Sequence, residues 1–179
     1  MNLPNKLSML RIFLVPIIVA LLLYSANFPF YGDLTALIIF SAAALTDKYD
    51  GYYARKYNMI TQLGKILDPL ADKLLISGAL VAFVDLGKIS AWVALVIIGR
   101  ELAVTGLRVV AAGQGIIIPA NMWGKWKTTI QIITIIALII DPILFNLPSV
   151  LITSLVWAAV LITIYSGYVY FASADVDYS

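Results

Sequence analysis

Neither cysteine nor histidine occurs anywhere in the 179 residues. Without cysteine there is no disulfide framework and no thiolate nucleophile or ligand, so the redox state of the compartment leaves no mark on the sequence. Without histidine, the commonest general base and the usual ligand for transition metals are missing. Charge is scarce as well: 12% of residues are charged against 62% hydrophobic. That balance excludes an ordinary soluble domain and predicts a single membrane domain over residues 1–179. The net charge of +2 decides little, and no nucleic-acid partner is expected.

Long apolar runs fill the place of charge. The first, MNLPNKLSMLRIFLVPIIVALLLY, is too long for a cleavable signal and is not followed by a clean small-residue cleavage site. It predicts a short interfacial segment over Pro4–Met9 leading into a first span over Leu10–Ser25. Asn27–Asp33, with its aromatic residues, reads as a turn at the membrane interface. Further spans are predicted over Leu34–Tyr57, Leu63–Val84, Ser90–Ala112, Met122–Leu144 and Ser149–Phe171. Pro69 stands near enough to the start of the third to be tolerated or to bend it. The breaks fall at Asp85–Lys88, Gly113–Asn121 and Asn146–Pro148, and a short acidic tail closes the chain. The expected fold is therefore all-α and polytopic, with six transmembrane helices. If both termini face the cytoplasm, only Lys88 of the 12 basic residues falls on the outer side, as the positive-inside rule requires.

Acidic residues concentrate in one stretch, TDKYDGYYARKYNMITQLGKILDPLADK, which holds Asp47, Asp50, Asp68 and Asp72 of the 10 acids. Asp47 and Asp50 are three apart and Asp68 and Asp72 four apart, so each pair shares a helix face. The short polar link Lys56–Gln62 lets the two helices run antiparallel and their acidic faces meet. Four carboxylates converging in a low-dielectric site repel one another and call for protonation, basic partners or hard cations. An oxygen-only donor set favours Mg²⁺, Mn²⁺ or Ca²⁺ over zinc or copper. Two such ions suit displacement at phosphorus. Gly51 and Ala54 share the stripe of Asp47 and Asp50, and Gly64 precedes Asp68 by four. Two readings are open for these small residues: a hollow that admits a ligand to the backbone, or close helix packing. Four intramembrane aspartates are harder to explain structurally, since each is costly in lipid.

A second group of charges, Arg100, Glu101 and Arg108 in the fourth span and Lys125 and Lys127 at the start of the fifth, is also expensive at that depth. Arg100, Arg108, Lys125 and Lys127 can gather around an anionic substrate group, for which Arg offers bidentate contacts. The alternative has Arg100 neutralising carboxylates and the two lysines reaching lipid headgroups.

The pattern Asp47-x2-Asp50-Gly51-x2-Ala54-Arg55-x8-Gly64-x3-Asp68-x3-Asp72 resembles, at every defined position, the signature of the CDP-alcohol phosphotransferases. These are membrane enzymes that move a substituted phosphate from a CDP-linked donor to an alcohol. Asn2-x-Pro4-Asn5-x-Leu7-Ser8-x2-Arg11, Gly99-Arg100-Glu101-Leu102, Gly106-Leu107-Arg108 and Gly124-Lys125-x-Lys127-Thr128 extend the similarity over the whole chain. They narrow it to the phosphatidylglycerophosphate synthases, with Ser8 where Thr is usual and Val109 where an acid is. The resemblance implies CDP-diacylglycerol as donor, sn-glycerol 3-phosphate as acceptor, and Mg²⁺ or Mn²⁺, as two ions, held by Asp47, Asp50, Asp68 and Asp72. It implies Asp72 as general base, and Gly51, Ala54, Arg55 and Gly64 around the CDP group. Arg100, Arg108, Lys125 and Lys127 would then hold the acceptor's phosphate. It further implies a homodimer in a bacterial-type inner or plasma membrane, among membrane lipids, with the active site facing the cytoplasm. Two alternatives stand beside it. One is a related enzyme with inositol phosphate, serine or phosphatidylglycerol as acceptor; the other is a cation or proton transporter, against which no internal repeat is found.

Overall fold

The structure, a computed structural model, describes residues 3–25, 29–56, 62–116, 118–119, 121–145 and 147–173; side chains at 3, 4, 29, 47–56, 62, 63, 65, 66, 144 and 145 lie outside that description. Among the described residues six helices follow one another: α1 Leu3–Tyr24, α2 Pro29–Lys56, α3 Gln62–Asp85, α4 Ala91–Gly113, α5 Met122–Ile140 and α6 Ser149–Ala172. No strand occurs among the described residues. Among the described residues, three stretches are long and apolar enough to cross a membrane: Asn5–Tyr24, Met122–Ile143 and Ser149–Ala172. In α2 the described apolar stretch is Phe30–Thr46, and α4 carries Arg100, Glu101 and Arg108 within its length.

Local signals account for most boundaries. Ser90 caps α4 by accepting from the Trp92 N–H at 3.3 Å. Past its end, Gly115 adopts φ +75°, a backbone state that glycine enters without cost. α5 continues past Ile140 into a wide π turn over Asp141–Phe145, where Asp141 Oδ1 accepts from the Leu147 N–H at 2.7 Å. Two expectations are corrected. Pro4–Met9 is not a separate segment but the first turns of α1. The turn expected over Asn27–Asp33 is helical from Pro29 onward, since proline is pre-organised for the first helical position. Residues 26–28, the link 57–61 and the acidic tail lie outside the described residues.

By packing, the chain divides into Met1–Ile89 with Ile135–Leu147, and Ser90–Thr134 with Pro148–Ser179. In the first unit α1 is the hub: it packs along both α2 and α3, whereas α2 and α3 touch over a shorter stretch. The α1–α3 seam is tight because Gly78 has no side chain; a Cβ there would lie 2.6 Å from Val15 Cγ1. Gly78→Ala should therefore cost about 1–3 kcal/mol as overpacking. This would be read as a lower melting temperature in detergent and partly regained with Val15→Ala; an unchanged melting temperature would show that the seam yields freely. At the other end of α3, the Lys88 ammonium donates to the Leu138 carbonyl at 3.1 Å and lies 5.6 Å from the Phe83 ring centre. Burial lowers its pKa, against the opposing pull of Asp33 and Asp141.

In the second unit the buried residues of α4 (Ala94, Ile97, Val104, Leu107, Ala111) and of α6 (Ala159, Val160, Thr163, Ser166, Gly167, Tyr170) each form one stripe at helical spacing, and the two helices pack together. Arg100, Glu101 and Arg108 fall on or beside the α4 stripe. Gln131 of α5 donates to Thr163 Oγ1 at 2.9 Å, both groups buried, a polar tie of the kind that holds helices together in lipid.

Candidate active site

On α3, Asp68 and Asp72 stand one turn apart, both partly buried, and Gly64 one turn earlier is buried. The carboxylates therefore share a face, as their spacing predicts. Ser8 of α1, fully buried, donates its hydroxyl proton to Asp68 Oδ1. Asn5, Ser8 and Arg11 form a buried polar stripe, three apart, along an otherwise apolar helix. The sequence carried that signal, yet this end of α1 reads locally as an interfacial lead-in. Asp47, Asp50, Gly51, Ala54 and Arg55 have helical backbone on the last turns of α2; their side chains lie outside the described residues. Among the described residues no group of three or more acids is assembled. Asp68 and Asp72 fit a hard divalent ion by donor type, since carboxylate oxygens spaced by one helical turn can reach a common point.

The cations of the second unit are brought together more tightly than their spacing reveals. Lys127 is only 5% exposed and pairs with Glu101. Arg100 Nη1 lies 3.5 Å from the same carboxylate, and its Nη2 donates to Ser166 of α6. Gly167 makes room for this arginine, because a Cβ there would sit 3.1 Å from Arg100 Cγ. Lys127 is thus an interior residue and does not reach for headgroups. Lys125, two residues earlier, is exposed. The Arg100 Nε–H is buried and finds no acceptor among the described residues, so an anionic oxygen arriving there would satisfy it.

Tyr170, 4% exposed, is the residue that sequence reading missed. Its hydroxyl accepts from Arg108 Nη2 at 2.9 Å and from the Asn121 N–H at 3.2 Å. The guanidinium carbons of Arg100 and Arg108 lie 5.3 and 5.1 Å from its ring centre, a cation–π contact on each. With two N–H donors directed at its oxygen, the phenol retains its own proton to donate. Local structure delivers the Asn121 contact. The turn at Gly115 lets the Ile116 N–H reach the Ala111 carbonyl at 2.8 Å, and Ile116 and Ile118 pack against Leu107 and Ala111. Asn121 then caps α5, its Oδ1 accepting from the Gly124 N–H at 2.8 Å. An aromatic residue near the end of the last span has no sequence neighbour to betray this role.

A carboxylate pair on α3, and a cluster of Arg100, Arg108 and Lys127 linked through Glu101 and Tyr170, are donor sets of the kind that suit divalent ions and phosphate groups. A family model for CDP-alcohol phosphatidyltransferase matches residues 1–165. The CDP-diacylglycerol–glycerol-3-phosphate 3-phosphatidyltransferase of Bacillus subtilis (strain 168) is 47% identical, over 96% of this chain and 94% of the relative. The probable phosphatidylglycerophosphate synthase of Mycobacterium tuberculosis (strain ATCC 25618 / H37Rv) is 38% identical, over 97% of this chain and 81% of the relative. The CDP-diacylglycerol–glycerol-3-phosphate 3-phosphatidyltransferase of Rickettsia bellii (strain RML369-C) is 36% identical, over 95% and 93%. The chain belongs to the CDP-alcohol phosphatidyltransferase family. It is a phosphatidyltransferase and an integral membrane protein, and enzymes of this family generally work with divalent metal ions. Ser166, Gly167 and Tyr170 lie beyond the matched residues.

Proposed function

We propose that this enzyme transfers the phosphatidyl group of CDP-diacylglycerol to sn-glycerol 3-phosphate, giving phosphatidylglycerophosphate and CMP. The observation that carries the acceptor is the cluster of Arg100 and Arg108 on Tyr170, with the buried Lys127 joined to Arg100 through Glu101. Among the described residues this cluster sets three cations against the single carboxylate of Glu101, and the excess positive charge suits an acceptor that brings a fixed negative charge of its own. Serine, without a phosphate, would leave it idle. The names of the relatives from Bacillus subtilis and Rickettsia bellii support the same choice.

In this reading Asp47, Asp50, Asp68 and Asp72 hold two divalent ions, Mg²⁺ or Mn²⁺, which when bound neutralise charge developing on the diphosphate oxygens. Gly51, Ala54 and Gly64 admit the CDP group, and Arg55 offsets its charge. Arg100, Arg108 and Lys127, with Lys125 at the exposed edge, bind the acceptor's phosphate, and the Tyr170 hydroxyl donates to it. Asp72 takes the proton from the attacking hydroxyl. That oxygen bonds to the phosphorus nearer the lipid, and the bond from this phosphorus to the bridging oxygen breaks, the electron pair leaving with CMP.

Six spans with both termini and the Asp pair on the cytoplasmic side complete the proposal. Asp68 and Asp85 are separated by 17 residues of α3, about 25 Å at the helical rise, so the carboxylates and the Lys88 turn stand about one bilayer core apart. The distribution of basic residues supports the orientation, and the family match over residues 1–165 supports a single domain over the chain. A homodimer is carried by the family resemblance. The decisive assay is CMP release from CDP-diacylglycerol in detergent micelles with Mg²⁺ or Mn²⁺ and a panel of acceptors. Release should depend on glycerol 3-phosphate; release driven equally by serine, inositol phosphate or phosphatidylglycerol would overturn the assignment.

A further inference from the structure

Ser8 is a buried polar residue to which the reaction scheme gives no task. A hydroxyl inside a membrane helix usually returns its proton to the carbonyl one turn back, as Thr35, Thr46, Thr105 and Thr129 do here. Ser8 instead sends it to a carboxylate on another helix, 60 residues away in sequence. The donor comes from a rigid element, because Gly78 lets α3 lie directly against Val15 and Val19 of the same α1.

We infer that Ser8 is a positioning residue that holds the Asp68 carboxylate in the orientation needed to ligate a divalent ion. This rests on the metal-binding reading of Asp68 given above. An aspartate has two free torsions, and its terminal one is broad. A hydroxyl fixed by α1 and bonded to one carboxylate oxygen narrows that freedom, leaving the remaining lone pairs set for a cation. It also blocks rotations that would turn the group away. Hydrogen bonds of this kind to ligating carboxylates are worth about 10–100-fold in metal affinity. The hub position of α1 thereby acquires a chemical purpose: the helix that packs on both α2 and α3 also sets one of their carboxylates.

The test is Mn²⁺ binding, followed by the electron paramagnetic resonance signal of the free ion, on the full-length protein in nanodiscs. Ser8→Ala should weaken Mn²⁺ binding about 10–100-fold, and extra Mn²⁺ should restore its turnover. Ser8→Thr, which keeps the hydroxyl, should recover the affinity lost in the alanine variant. Ser8→Cys, close in size but a weak donor, should behave like alanine and covers the case in which alanine fails to fold. Asp68→Asn runs alongside. If it binds Mn²⁺ as tightly as the parent protein, the metal reading of Asp68 itself fails. If it loses the ion while Ser8→Ala and Ser8→Cys keep parental affinity, Ser8 only staples α1 to α3, and the inference is overturned whatever the melting temperatures.

Discussion

Asp72→Asn should abolish phosphatidyl transfer while leaving metal-dependent nucleotide binding largely intact. Asparagine matches aspartate in size, so the packing of α3 is preserved, but an amide cannot take up the acceptor's proton. A positioned general base contributes about 10²–10⁴-fold, and turnover should fall by at least that factor at saturating donor and acceptor. Binding of CMP in the presence of Mn²⁺, measured by calorimetry, should change little, because three of the four proposed carboxylate ligands remain. The two readouts separate the roles. Lost turnover with lost binding would make Asp72 chiefly a ligand, and retained turnover would remove it from the mechanism.

The second large effect is expected at Arg108. Its guanidinium donates to Tyr170 and lies over the tyrosine ring, and it is more exposed than Arg100. It can therefore be changed with less disturbance to the pairing of Glu101 with Arg100 and Lys127. A hydrogen bond to a charged group is worth about 1.5–3 kcal/mol, and 1.4 kcal/mol is tenfold in affinity. Arg108→Gln should accordingly raise the KM for glycerol 3-phosphate roughly 10–100-fold, with the KM for CDP-diacylglycerol nearly unchanged. Lys125→Ala should move the acceptor KM in the same direction by a smaller factor, since an exposed ammonium is screened by solvent. Equal changes in both KM values would place these residues outside the acceptor site.

The helices were largely legible because their limits are local events. Ser90 and the glycines at 113 and 115 bracket α4 within a residue of where the pattern put it. Pro148 and Ser149 start α6 in the same way. Where a local signal was read in isolation it misled. Pro29 and Gly32 look like a turn, yet Pro29 opens α2, and Gly32 lies inside it because a Cβ there would approach Ser25 Cα at 3.0 Å. That is a packing requirement no window of sequence displays.

The sequence by itself determined the membrane class, the helical content, the family and the two carboxylates sharing one face of α3. Each of these depends on composition or on residues within a turn or two of one another. Only the tertiary structure decided that Ser8 meets Asp68, that Lys127 pairs with Glu101 and that Tyr170 takes Arg108. These partners are 60, 26 and 62 residues apart. Which faces of two helices meet depends on where small residues let them approach, and the side chains that complete a polar site are chosen by that meeting.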